Sequence, residues 1–214
     1  MKYKIEKNTV QETLILPLYS RKLCTELYPN LYRDETSVRL LDQIDYDFSE
    51  AEENSRSLMQ RFGALEVAMR QNDLAWEVRD YLKTHPSAAV FFASGVFYYF
   101  LTQQVKALVR GMADAFPGGV LVFDAANRTA VKMIAKTWLR TAKIKDVGAY
   151  FAVSDAKSEL SPWDNHLQVS SRGYMLGYSD LKDPSVSGFF RFLARVGDNG
   201  MKMQIVKIGF GGKK

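Results

Sequence analysis

Two short, uninterrupted apolar runs constrain this chain more than any other feature. Ala88–Ala93 and Val120–Phe123 are apolar at every position, whereas a strand with one wet face alternates. Between them, Leu101–Phe116 places Leu101, Val105, Leu108, Val109, Met112 and Phe116 at helical spacing, and Pro117-Gly118-Gly119 stops it. Strand, amphipathic helix and strand in that order predict a parallel α/β sheet covered on both faces. Another helix is predicted through Val131, Ile134, Ala135, Trp138 and Leu139, and one more through Val186, Phe189, Phe190, Leu193 and Val196. Met201–Phe210 reads as a closing strand.

The segment before Pro86 is helical and more polar. Thr9–Leu27 carries Leu14, Leu16, Leu18 and Leu23, with Pro17 as a kink or boundary. Asp34 or Thr36 can cap a short helix through Leu40, Leu41 and Ile44. Ser49–Leu82 predicts one or two long helices through Leu58, Phe62, Leu65, Met69, Trp76 and Leu82, and Thr84-His85-Pro86 ends them. The expected organisation is therefore a helical cap and lead-in helix over 1–86, and an α/β unit over 87–214.

At 214 residues and 47% apolar, the chain can bury a real core without staples. The single cysteine, Cys24, excludes an intrachain disulfide framework and a cysteine-based zinc site, and His85 and His166 leave little for a histidine site. The net charge of +5 comes from 29 basic and 24 acidic residues spread along the sequence. Lys213-Lys214 and the Arg128–Lys145 region are the nearest to basic clusters, and a solvated helix face explains the latter, so no nucleic-acid partner is expected. The longest apolar run, Ala88–Leu101, is interrupted only by Ser94 and Gly95 and reads as a buried strand entering a turn. It falls short of the roughly 20 residues a membrane helix needs. No leader-like segment opens the chain, so the expectation is a cytoplasmic protein with a reduced thiol and no membrane partner.

In an open α/β sheet, ligands gather beyond the carboxyl ends of the strands. Two such ends are readable, Ala93-Ser94-Gly95 and Asp124-Ala125-Ala126-Asn127. Asp124 reads equally as a helix cap or a ligand contact, and Ser94 and Gly95 as turn residues or pocket rim. Tyr98 and Tyr99 either wall a pocket for a planar molecule or pack in the core, with packing favoured for Tyr98. Arg70 stands three residues before Asp73, which suits an exposed ion pair, while its guanidinium fork also suits a carboxylate clamp. His85 reads as a helix-end residue and His166 as a loop residue. These residues alone give an α/β domain with a helical lid.

Several stretches together resemble the leucine carboxyl methyltransferase superfamily, in its polyketide-synthesis O-methyltransferase branch. Thr9-Val-Gln-Glu-Thr-Leu-Ile-Leu-Pro-Leu-Tyr-Ser-Arg21 is similar to the N-terminal signature, and Ile44-Asp-Tyr-Asp-Phe48 to a second patch. The run from Arg70 to Pro86 resembles the family's Arg, Asp and histidine–proline segment. Ala93-Ser-Gly-Val-Phe-Tyr-Tyr-Phe100 resembles the end of its fourth strand, and Pro117-Gly-Gly-Val-Leu-Val-Phe-Asp124 its fifth. The resemblance implies a class I methyltransferase (Rossmann-like) fold with an N-terminal helical cap over a seven-stranded sheet, using S-adenosylmethionine (SAM). It implies that Arg70 binds the carboxylate of SAM, that Ser94 and Gly95 border the methyl-transfer pocket, and that Tyr99 stands beside it with Tyr98. Thr13 and Arg21 would sit where the cap covers the ligand. The implied reaction is in-line transfer of a methyl group to a carboxyl or hydroxyl oxygen of a small-molecule acceptor, driven mainly by positioning.

The chain departs from that pattern at one place. Pro86-Ser87-Ala88 runs straight into the fourth-strand segment, and no G-x-G-x-x-T loop occurs. The gap corresponds to about two strand–helix units, or about 60 residues at about 30 each. It would hold roughly the first three strands and the glycines that let backbone approach the nucleotide. An in-frame deletion, a shortened reading of the gene, or a shortened protein put to another use would each leave this sequence. In every case the truncated sheet would expose the edge of the Ala88–Ala93 strand. The expectation is that the cap or a partner chain covers it, giving a homo-oligomer in the latter case. Two functions follow: a SAM-dependent O-methyltransferase, or a non-catalytic homologue acting as an oligomeric interaction protein.

Overall fold

The computed structural model describes residues 2–5, 10–134, 136 and 148–211, without side chains at 10–13 and 134. The polar first part forms β1 (Tyr3–Lys4), α1 (Val10–Leu27), α2 (Glu35–Asp42), β2 (Ile44–Asp45), α3 (Ser49–Asn54) and α4 (Leu58–Thr84). Pro17 lies inside α1 instead of ending it. Asp34 caps α2 by accepting from the Ser37 N–H, and Ser57 caps α4 by accepting from that of Gln60. Two helices, not one, therefore span the Ser49–Leu82 pattern. β1 and β2 pair in parallel through Tyr3–Ile44 and Lys4–Asp45.

The second part contributes β3 (Val90–Ala93), a 3₁₀ turn (Phe97–Tyr99), α5 (Thr102–Ala115), β4 (Val120–Ala125) and α6 (Arg128–Ile134). α7 (Ala156–Leu160), β5 (Leu167–Gly173), α8 (Gly188–Arg195), a π-helical turn (Val196–Gly200) and β6 (Gln204–Phe210) follow. Ala135, Trp138 and Leu139 of the expected helix, most of the basic Arg128–Lys145 region, and Lys213-Lys214 lie outside the described residues.

The sheet runs β3-β4-β6-β5, so the fold is mixed α/β. β3 and β4 are parallel, Val90 facing Val120 through Ala93 facing Phe123. β6 runs antiparallel to both β4 and β5, which corrects the expectation of a wholly parallel sheet. The cause is clear in β6 itself. It is the inner strand between β4 and β5 and is buried along almost its whole length, so its Ile205, Val206, Ile208 and Phe210 report burial and carry no sign of direction. β5 alternates Leu167, Gln168, Val169 and Ser170, and keeps one face wet.

Pleating sends Val120, Val122 and Asp124 to one face of β4, and Leu121, Phe123 and Ala125 to the other. The first face meets Leu65, Ala68 and Met69 of α4, in a core that also takes Cys24 of α1, Tyr174 and Phe190. The second meets Val105 and Val109 of α5, with Phe151, Leu160 and Ile208. One hydrophobic core thus joins the cap to the sheet.

The apolar run after Ala88 is less buried than expected. Phe92 is 46% exposed, and Val96, Tyr99, Phe100 and Leu101 are exposed too. The α5 face is likewise wider than what it buries, leaving Leu108 and Phe116 exposed, and Phe189 and Val196 are exposed on the α8 side. β3 is an end strand of the sheet, so a run that is buried when flanked on both sides is here flanked on one.

Candidate functional site

α4 crosses the sheet face and carries four ionisable side chains at a helical spacing of four, three and four: Glu66, Arg70, Asp73 and Glu77. They fall on one stripe, and each reaches a different partner. Glu66 accepts from the Tyr174 hydroxyl at 2.9 Å. Arg70 donates through Nη1 to Asp124 at 3.3 Å. Asp73 accepts from the Met175 N–H at 2.8 Å. Glu77 accepts from Lys207 at 2.6 Å and from the Tyr178 hydroxyl at 2.8 Å.

The centre of the stripe lies at the carboxyl ends of β3 and β4. The Asp124 carboxylate, 1% exposed, takes the Gly95 N–H at 2.6 Å and the Tyr98 hydroxyl at 2.9 Å besides the Arg70 guanidinium. Gly95 reaches it with φ at +67°, a left-handed conformation open to glycine at little cost. A Cβ there would lie 3.6 Å from the guanidinium nitrogens, an ordinary contact, so the dihedral and not space selects glycine. Tyr98 is placed by its 3₁₀ turn, and its carbonyl accepts from the Tyr150 N–H at 2.7 Å.

Electrostatics make this a closed set. Burial disfavours the Arg70 charge, but Asp124, with the nearby Tyr174 and Tyr98, outweighs it and holds the guanidinium firmly protonated. Burial raises both tyrosine hydroxyls well above their usual range, so both stay neutral donors. Burial also raises Glu66, against the lowering effect of Tyr174 and Arg70. The cluster orders Gly95 and Tyr98 around Asp124, and it leaves Arg70 Nε buried without a hydrogen-bond partner.

The sequence-derived residues distribute as follows. Arg70, Gly95 and Tyr98 come together on Asp124. Asp124 caps no helix; it lies within β4 and is an internal acceptor, which neither reading of the sequence anticipated. Arg70 pairs with Asp124 and not with Asp73, correcting the exposed ion pair. Ser94 is half-buried beside the cluster and Tyr99 exposed. Arg21 is committed to Asp34 within the cap, its Nε 2.7 Å from the carboxylate. Thr13 lies in α1, with its side chain outside the described residues. His85 caps α4 and stacks on Tyr81.

Glu66 and Tyr174 were not foreseen; they are 108 residues apart and no local pattern links them. Arg172 lies over Trp76 and Tyr178 at 4.9 and 5.2 Å and completes the Glu77 group at 3.9 Å.

Cavities among the described residues lie away from Asp124. One of about 400 Å³ is lined by Tyr81, Lys157, Gln168, Ser170 and Lys207, and one of about 260 Å³ by Asp155, Ser171, Asp198, Lys202 and Gln204. Among the described residues, no three His, Cys, Asp or Glu side chains are placed to hold a metal, and no helix is long and apolar enough to cross a membrane. Comparison with protein-family models, curated proteins and solved structures finds no match to this chain.

Proposed function

We propose that this chain is a non-catalytic relative of the SAM-dependent O-methyltransferases and works as an interaction protein. One observation carries the reading: two donors that the resemblance assigns to the cofactor and its pocket already serve an internal carboxylate. Arg70 and Gly95 both donate to Asp124. A second carboxylate brought to Arg70 would meet Asp124 as a like charge in a poorly solvated place. The chain also lacks the glycine loop that admits a nucleotide, so its residues do not fit SAM.

The sheet supports the ancestry. A seven-stranded sheet without its first three strands retains four, and four strands are found, with the segment resembling the fourth strand at the end of the sheet. Calorimetric titration with millimolar SAM tests the reading. No saturable heat and no thermal shift are expected; a saturable isotherm overturns it.

A catalytic reading draws on a single feature. The Arg70 side chain is 20% exposed, so its guanidinium is open to a further acceptor on the solvent side. On that reading the chain methylates a carboxyl or hydroxyl oxygen of a small molecule, and the same titration shows saturable heat.

A further inference from the structure

β3 has an open edge, and its chemistry matches a copy of itself. The Val120 N–H bonds to the Ala89 carbonyl, so Ala89, Phe91 and Ala93 turn their backbone groups toward β4. Val90 and Phe92 therefore present N–H and C=O to the other side, where no strand of the described residues lies. Phe92, on the pleat face shared with Val90, remains 46% exposed. Directly downstream, Val96, Phe100 and Leu101 are exposed apolar residues.

Charge decides what covers this edge. Between His85 and Lys106 the chain carries no Asp, Glu, Lys or Arg, although its net charge is +5. Two positively charged copies repel through most approaches, but they meet here across a neutral face. A strand selected for charge would find nothing to complement. Natural sheets defend their ends with lysines, prolines or bulges, and β3 has none of these.

We infer that β3 pairs antiparallel with β3 of a second copy about a two-fold axis, forming a closed dimer with one continuous sheet. Phe91 lies opposite its own equivalent. Val90 lies opposite Phe92 of the second copy, and each such pair exchanges both N–H···O=C bonds. The half-exposed Phe92 rings then cover the Val90 side chains across the junction. The inference rests on the interaction-protein reading above and names its partner.

Light scattering and sedimentation of the full chain test it. The expected mass is twice 24.3 kDa. Phe92→Lys puts a charge at the junction, and Phe92→Pro removes an outward N–H without touching the β4 ladder. Each variant should halve the mass while leaving circular dichroism unchanged. Hydrogen exchange of the wild type gives a second readout: the Val90 and Phe92 amides should be slow at high concentration and fast on dilution. A wild-type monomer whose Val90 and Phe92 amides exchange freely leaves the edge to another protein's strand and overturns the proposal. A dimer insensitive to Phe92→Lys, or one whose Val90 and Phe92 amides exchange freely, overturns it as well. The SAM titration reports separately, so a monomer without SAM heat sinks the dimer alone, and a dimer with SAM heat sinks the non-catalytic reading alone.

Discussion

Asp73 and Asp198 both stand against one tight turn that follows β5. Asp73, on α4 and 0% exposed, takes the Met175 N–H at 2.8 Å. Asp198, in the π-helical turn, stands against the start of the tight turn, where a Cβ at Gly173 would lie 2.6 Å from its carboxylate. The turn is close enough at Gly177 that a Cβ there would lie 2.0 Å from the Gly173 carbonyl oxygen. Asp73 fixes the turn through its amide, but the two carboxylates also crowd negative charge where water is scarce.

That crowding sets a pH dependence. Burial raises both carboxyls to about 7, with the Asp198 charge adding to the rise at Asp73. A carboxyl whose folded pKa lies above its unfolded value binds its proton more tightly in the folded state. Stability from this pair is therefore highest below about pH 4 and falls as the pH climbs toward about 7. Urea midpoints should drop between about pH 4 and about pH 7, and Asp198→Asn should flatten that drop. Parallel profiles for the two proteins would refute the assignment.

Asp124→Ala should be among the most damaging substitutions in the chain. It leaves the Arg70 guanidinium without its counter-charge and Gly95 and Tyr98 without an acceptor. The expected loss is about 3–5 kcal/mol. Tyr98→Phe removes one bond to a charged acceptor and should cost about 1.5–3 kcal/mol. Denaturant unfolding of the two single variants and the double variant checks both values. Because the bonds share one acceptor, the double variant should fall short of the sum.

Gly95→Ala isolates backbone strain. The new methyl group meets only ordinary contacts, so the cost is that of a left-handed alanine, about 1–2 kcal/mol. A loss far above that range in equilibrium unfolding would mean that the methyl also displaces the guanidinium.

Glu77→Gln tests the lower end of the α4 stripe. It weakens the bond to Lys207, whose side chain is 28% exposed, and so should cost about 1–3 kcal/mol, less than the loss at Asp124. Thermal unfolding in low and high salt is the check. The difference from wild type should shrink with salt, because Lys207 and Arg172 are both reachable by solvent.

The sequence reveals the elements of this fold more readily than their directions. β4 is apolar from Val120 to Phe123 because it is the inner strand between β3 and β6, and α5 is amphipathic because it lies over one face; both follow from period and length. The antiparallel course of β6 does not, since a strand buried on both sides looks alike in either direction. The site shows the same division. Gly95 and Tyr98 stand out through residue type and position beyond a strand end, and Arg70 through its guanidinium and the family resemblance. Their common acceptor, Asp124, is ambiguous until the fold brings residues 54 apart in sequence together. Glu66, Asp73 and Glu77 look like a solvated helix face in one dimension, and only the docked helix shows their partners, Tyr174 and Met175 just beyond β5 and Lys207 on β6.

Those four α4 side chains also have a bearing on alignment. Leucine and alanine rows tolerate a slip of one helical turn, because one apolar contact resembles the next. A slip here would carry Arg70 away from its carboxylate and set acids against positions without donors. The stripe works like the wards of a key, admitting a single seating of the long helix against the layer beneath it.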